Sequence, residues 1–497
     1  MRKIYSFLLF SGFTTALMAQ TALFNNNGAD IYVKDGAFMI VKTNSVYNNV
    51  AGGGGVFDNA GTVVVEGFVK NDGVINGSGD TIRLTGDWEN NNSYTGSNSW
   101  VEMNGGTQQI TGTSVTTFNN LALLGGTSLK RQTIDAVTSG TLALNDAELA
   151  TDANEMLVSN TNPNAITRNS GFVSSVSGGK LSRNTLASSA YLFPTGSPSY
   201  SNPPSIFRPV EFTPAASSAN TYGAALVKGD ATADGYDVSV IDDVLCLVNP
   251  NFYHRLYQTS GADASALRMF FDAATDGDWT DEGHWDAPNR WNDLGTATLG
   301  SGLGFSSVSV NNVSDFQPEP FALARKKFTV DAGPDVSLTL GQSTQFNPNI
   351  SSTSVATYDW TPDFALSCNN CEKPDASPTL TTRYTIVVTD DAGCVVSDSL
   401  LVTVTSPELL IPTAFSPNGD GMNDKFRVMN KNVVKFRLQI YNRWGELVYE
   451  TSDFMSGWDG VFRGVEQEMG VYAWICDYML QGQTKSTLAK GNLTLMR

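Results

Sequence analysis

The sequence predicts an all-β, multidomain protein in which N-terminal β-solenoid-like repeats are followed by β-sandwich domains. Three observations carry this expectation. The 497 residues include 46 glycines, only 16% are charged, and helix-forming runs rich in Ala, Glu, Lys and Leu are nearly absent, so strands and turns must dominate. Short strand-like pentads recur at near-constant spacing between Gly61 and Asp146. Beyond them, alternating apolar segments are separated by turn residues, and a chain of this length accommodates three or four domains at ~150 residues each.

Residues 1–19 read as a secretory signal peptide: Arg2 and Lys3 form a basic n-region, an apolar stretch follows, and small residues lead to Ala19. The stretch has too few uninterrupted apolar residues to be a stable span, and no later segment reaches the ~20 that a transmembrane helix needs. A net charge of −18 without any basic stripe opposes binding to nucleic acid, whose phosphates call for clustered Lys and Arg. The five cysteines suit an oxidising compartment, and their odd number leaves at least one thiol without an intramolecular partner.

Residues 20–189 form the solenoid-like region. The pentads VVVEG, IRLTG, VEMNG, LALLG and LALND begin at Val63, Ile82, Val101, Leu121 and Leu142, so successive starts lie 19, 19, 20 and 21 residues apart. First and third positions are apolar, which puts Val65, Leu84, Met103, Leu123 and Leu144 in one inward column. One coil cannot bury its inward face alone, whereas stacked coils build a continuous core. The outward positions, among them Val64, Arg83, Glu102, Ala122 and Ala143, gather no set of carboxylates or bases of the kind polysaccharide-cleaving β-helices require. Arg83 and Glu102 read as a surface ion pair. With two histidines and no Gly-x-Ser-x-Gly elbow, His-Glu-x-x-His pair or phosphate loop, catalysis is the minority reading.

Residues 190–325 begin where Pro and Ser become frequent and the period fades, and their alternating segments predict a β-sandwich. Within them DGDWTDEGHWDAPNRWNDLG, from Asp276 to Gly295, carries Trp279, Trp285 and Trp291, which could stack on sugar rings, with Asp278, Asp281, Glu282 and Asp286 as acceptors. His284 could join these carboxylates on a metal. Gly283 and Pro288 break any single strand, so core packing of the tryptophans is favoured over glycan contact and over metal binding.

Residues 326–405 give short alternating strands with Trp360 placed to fill a core. The segments YDWTP and TTRYTIVVTDDAGC resemble the polycystic-kidney-disease-type, immunoglobulin-like repeats of bacterial surface proteins. A Cys-x-x-Cys pair, Cys368 and Cys371, has Cys394 nearby but no histidine, so a disulfide fits better than zinc. The bond could lie within the loop or run from it to Cys394.

Residues 406–497 carry the most specific signal. FRLQIYNRWGELVYE reads as a hairpin that turns at Asn442–Gly445 and puts Phe436, Leu438 and Ile440 on one face, returning through Leu447 and Tyr449. GVYAWICDYML, apolar on both faces, reads as a central or sandwiched strand, and GNLTLMR as the closing one. In the order IPTAFSPNGDGMNDKF, IYNRWGELVYE, GWDG, GVYAW and GNLTLMR, these blocks resemble the gliding-motility-associated C-terminal domain, the type B sorting domain of Bacteroidetes type IX secretion. The resemblance implies a small β-sandwich read by the outer-membrane export machinery, which delivers its cargo to the cell surface or the medium. In SPNGDGMND the oxygens of Asn418, Asp420, Asn423 and Asp424 could supply part of a calcium shell. The full helix-loop-helix pattern is missing, and a turn in which these side chains bond their own backbone is favoured.

The expectation for function is an exported, non-enzymatic surface or secreted protein, adhesin-like or envelope-associated, with partners among envelope proteins or surface glycans. The alternative is a carbohydrate-binding or carbohydrate-active secreted protein using residues 276–295.

Overall fold

The computed structural model describes every residue except 1–23, 43–44, 50–54, 177, 202, 318, 406–408, 430–432 and 482; the signal peptide expected at 1–19 lies outside the described residues. Strands make up nearly all of the regular structure, and the helical pieces among the described residues are Ala231–Asp234 and Ala273–Asp276. The chain divides into two compact units, 1–326 and 327–497.

The first unit opens with a β-solenoid of about 7 turns. The coils' strands stack in three parallel columns, of which the second is divided into two sheets between Ser93–Ser97 and Thr116–Phe118. The first stack has nine strands, from Phe24–Asn27 to Thr195–Gly196, and the third has seven, from Phe38–Val41 to Ile166–Arg168. The pentads all fall on that third stack. Val63 pairs with Ile82, Ile82 with Val101, Val101 with Leu121 and Leu121 with Leu142, and the column Val65, Leu84, Met103, Leu123, Leu144 is fully buried. The stack also extends one coil either way, with Met39 beside Val63 and Ile166 beside Leu142.

A polar column runs through the same interior. Asn26, Asn48, Asn71 and Asn90 occupy equivalent positions in the first stack and are buried. Each side-chain amide donates to the next carbonyl, at 2.8 Å from Asn26 to Asn48, 2.9 Å from Asn48 to Asn71 and 2.8 Å from Asn71 to Asn90. A buried amide would cost free energy if left unpaired; here the coil repeat supplies the partner. The ladder stops at Gly112, which pairs with Asn90. There φ is +127°, and an added Cβ would lie 2.0 Å from the Asn90 carbonyl oxygen. Further along, Lys130 is buried with its ammonium on the carbonyls of Gly105 and Gly106 and the Gln108 side chain, and burial lowers its pKa to about 8.

The boundary expected near residue 190 is not a break. The last strand of the solenoid's second stack, Lys180–Thr185, pairs antiparallel with Asn220–Lys228, so the parallel ladder continues into a sandwich within one ten-stranded sheet. The reason is edge protection: an unpaired terminal strand invites association, and here the sandwich covers it. The facing five-stranded sheet runs from Tyr191–Phe193 to Ala297–Gly302. Between the sheets Phe212 stacks on Tyr222 at 4.8 Å, with Phe316 against both, and one apolar core extends from Val33 to Leu323.

In the second unit, residues 327–405 build a four-stranded sheet and two short strand pairs around Trp360, which is 1% exposed. Residues 409–497 form a five-stranded sheet in the order Ala414–Phe415, Thr487–Leu495, Gly470–Leu480, Val433–Tyr441, Leu447–Thr451. Gly470–Leu480 is central, as its apolar pattern suggests, yet it is covered on one face alone. Tyr472, Trp474 and Cys476 are buried while Val471 is 58% exposed. In the hairpin Phe436, Leu438 and Ile440 point inward, and Val448 joins them where Leu447 was expected, because the register shifts between Ile440 and Tyr441.

Candidate functional site

Two places collect the residues singled out from sequence. The first is the strand Asp281–Asp286, which lies between Pro320–Lys326 and Arg290–Asp293. Trp279, Trp285 and Trp291 are 8%, 9% and 0% exposed. Trp285 meets Trp291 edge-on at 5.9 Å and Tyr236 at 5.6 Å, while the Trp279 indole N–H donates to the Asp276 carbonyl. No ring face is left open for a sugar, so the platform reading gives way to core packing. The reason is the cross-strand register, which places Trp285 opposite Trp291 over the apolar cluster of Leu245, Val248 and Ala322.

The carboxylates of this segment separate. Asp281 forms an ion pair with Lys326 at 2.9 Å. Glu282 is wholly buried without a hydrogen bond to its carboxyl oxygens, and burial raises its pKa well above the ordinary value. Asp278 is not among the groups that gather at His284 among the described residues. His284 and Asp286, two residues apart on one strand, share a face. Asp315, from the segment after Phe305–Val313, joins them, and one donor atom from each of His284, Asp286 and Asp315 lies within 4.8 Å of the others. Sequence reading missed Asp315, because nothing local marks it. The His284 ring is 4% exposed and stacks on Phe321 at 4.0 Å. Burial lowers its pKa against the opposing pull of Asp315, Asp286 and Glu319. An open cavity of about 430 Å³ lies elsewhere in the unit, lined by Asp272, Ser301, Gly302, Gly304, Phe305 and Ser306.

The second place is the C-terminal module. In the loop Ser416–Asp424 the side-chain oxygens of Asn418, Asp420 and Asp424 accept from backbone donors. Asp424 accepts from the N–H groups of Gly419 at 2.7 Å and Gly421 at 2.9 Å, Asn418 from Asp420, and Asp420 from Met422. Asn423 takes a left-handed conformation, φ 53°. This is the turn arrangement. Hydrogen bonds from Met422 and Asn418 lower the Asp420 pKa.

Much of the module's motif is explained by its own packing. Trp458 of GWDG is fully buried against Tyr472 at 4.9 Å and Phe415 at 5.5 Å. Gly491 of GNLTLMR lies so close under Trp474 that an added Cβ would fall 2.5 Å from the ring. Trp444 differs: it stands 85% exposed at the hairpin tip, held there by an Asn442 side chain that accepts from the N–H groups of Trp444 and Glu446. Cys476 is a free, buried thiol in the central strand, its pKa pushed up to about 12 by burial. Of the pairings left open by sequence, Cys368 is bonded to Cys371, their Cα atoms 5.9 Å apart, and the bond from that loop to Cys394 is not formed.

Residues 409–495 match the CHU_C type IX secretion signal domain. This stretch is a type IX secretion signal, it engages the secretion machinery, and the protein is exported to the cell surface or the extracellular space. No curated protein matches the chain. Among solved structures, it is similar to the Ig1-Ig2 domains of Dpr2 in complex with DIP-Theta Ig1-Ig3, at 9% identity over 46% of this chain and 92% of that one, with a TM-score of 0.17. Dimeric latent PorU from Porphyromonas gingivalis is 10% identical over 58% of this chain and 31% of that one, TM-score 0.15. The Bacteroides ovatus mixed-linkage glucan utilization locus protein SGBP-B, in complex with a mixed-linkage heptasaccharide, is 10% identical over 51% of this chain and 84% of that one, TM-score 0.12. No helix among the described residues is long and apolar enough to cross a membrane.

Proposed function

We propose that this protein is a non-enzymatic surface or secreted protein, adhesin-like or envelope-associated, whose C-terminal module is its export address and whose solenoid and sandwich form the displayed body. The observation that carries the reading is the outward surface of the pentad stack. It presents half-buried Val64 and the ion pair of Arg83 and Glu102, 2.5 Å apart, while Ala122 and Ala143, expected on this face, are buried. A surface pair of this kind contributes little to stability and holds both charged groups to each other. Stacked coils project such a face at low cost in charge, which suits display of a binding surface.

The test has two arms. Deletion of residues 409–497 is expected to leave the protein behind in cell fractions from which the intact chain departs for the surface or medium. Normal arrival of the truncated chain would sink the address. The full chain, incubated with a panel of surface polysaccharides, is expected to leave them uncut; hydrolysis of any of them would overturn the non-enzymatic body.

A further inference from the structure

The geometry points to a divalent transition-metal site of the zinc class built by His284, Asp286 and Asp315. Their donor atoms lie within 4.8 Å of one another although Asp315 stands far from the other two in sequence. Three features of these residues suit a metal. The His284 ring is 4% exposed, yet no hydrogen bond engages either ring nitrogen among the described residues, and its Nε2 is a buried polar atom without a partner. A buried imidazole normally finds a partner for at least one nitrogen. The stack of the ring on Phe321 at 4.0 Å and 17° fixes its plane, and a metal-ligating histidine needs its ring held in one orientation. Asp286 and Asp315 are exposed, and neither forms an ion pair with a Lys or Arg among the described residues. Asp286 uses one oxygen to accept from the Ala287 N–H at 2.5 Å and keeps the other.

The donor set decides the class of ion. Calcium and magnesium take oxygen ligands, whereas an imidazole with two carboxylates suits zinc and its neighbours. Three protein ligands with a fourth position left to water is the open zinc arrangement. A tetrahedral ion with bonds of ~2.0–2.1 Å would bring the ligand atoms to about 3.3 Å from each other. The two exposed aspartates can close that gap by changing rotamer, while the buried ring stays in place.

The test is isothermal titration of the full chain with zinc alone, then with zinc in the presence of excess calcium. One site per chain is expected, insensitive to calcium, with affinity at least about tenfold weaker in Asp315→Asn and in Asp286→Asn. Both substitutions change exposed side chains, and circular dichroism of each variant checks that it folds. Failure of the wild-type chain to bind, binding by either variant as tight as that of the wild type, or displacement of zinc by calcium would each overturn the proposal.

Discussion

In the solenoid, the Asn71 side chain finds its ladder partners in the coils on either side, 23 and 19 residues away; in the C-terminal module, Asp424 finds its partners five and three residues away, within its own turn. Both are small polar side chains that satisfy hydrogen bonds, but one is sealed in a core and the other borders solvent. The difference shows what a repeat adds. Stacking turns a residue that elsewhere competes with regular structure into a cross-coil brace, since every coil offers the matching group at the same place. In a single copy, as in the C-terminal loop, the near backbone is the partner at hand.

Breaking the ladder is expected to have the largest effect. Asn71→Ala removes the acceptor of Asn48, the donor to Asn90 and Ser93, and the partner of the Gly73 N–H. Each buried group left unpaired costs about 1–3 kcal/mol, so the coils around residue 71 should lose ~3 kcal/mol or more of protection in native-state hydrogen exchange. An unchanged exchange rate would mean that the ladder does not brace the coils.

Asp80 sharpens the same comparison, because it is a second buried polar group of the solenoid and has one partner in the preceding coil. It is 4% exposed, accepts from Asn59, and has its other oxygen unpartnered. Burial raises its pKa from 3.8 to about 6. The folded state therefore holds this proton more tightly than the unfolded chain. The associated stability is full below pH ~4 and is lost as pH rises through 6. The loss amounts to about 2–3 kcal/mol at neutral pH. Asp80→Asn should accordingly melt higher than the parent at pH 7.5, with the gap closing toward pH 4; a gap independent of pH would refute the buried-acid account.

The smallest effect belongs to the local turn. Asp424→Ala frees the N–H groups of Gly419 and Gly421, which solvent can partly re-satisfy, so a loss of about 1–2 kcal/mol is expected, confined to the C-terminal module. Chemical denaturation followed by its tryptophans would register the change, and a cost equal to that of Asn71→Ala would erase the distinction between the two regions.

Part of this architecture is legible along the chain. The pentads mark the inward column because a strand alternates its faces and a coil repeats its length, and both periods survive in sequence. The five C-terminal blocks mark the export address, several through glycines that packing demands, as Gly491 under Trp474 shows. The asparagine ladder has the same period but escapes a search for apolar residues. The three tryptophans of residues 276–295 could be read as a platform or a core, because the cross-strand register set by the turn at Asn289 (φ 63°) decides that Trp285 faces Trp291.

By itself the sequence determined that this chain is all-β, that its early coils stack, and that its end addresses it out of the cell. Those properties rest on patterns within about twenty residues, where periodicity and turn chemistry act. Only the tertiary structure decided that the solenoid flows into the sandwich through one sheet and that Trp285 is buried. It alone brought Asp315 beside His284. Such meetings depend on strand order and register between distant segments, which the burial of a whole core selects and no local pattern records.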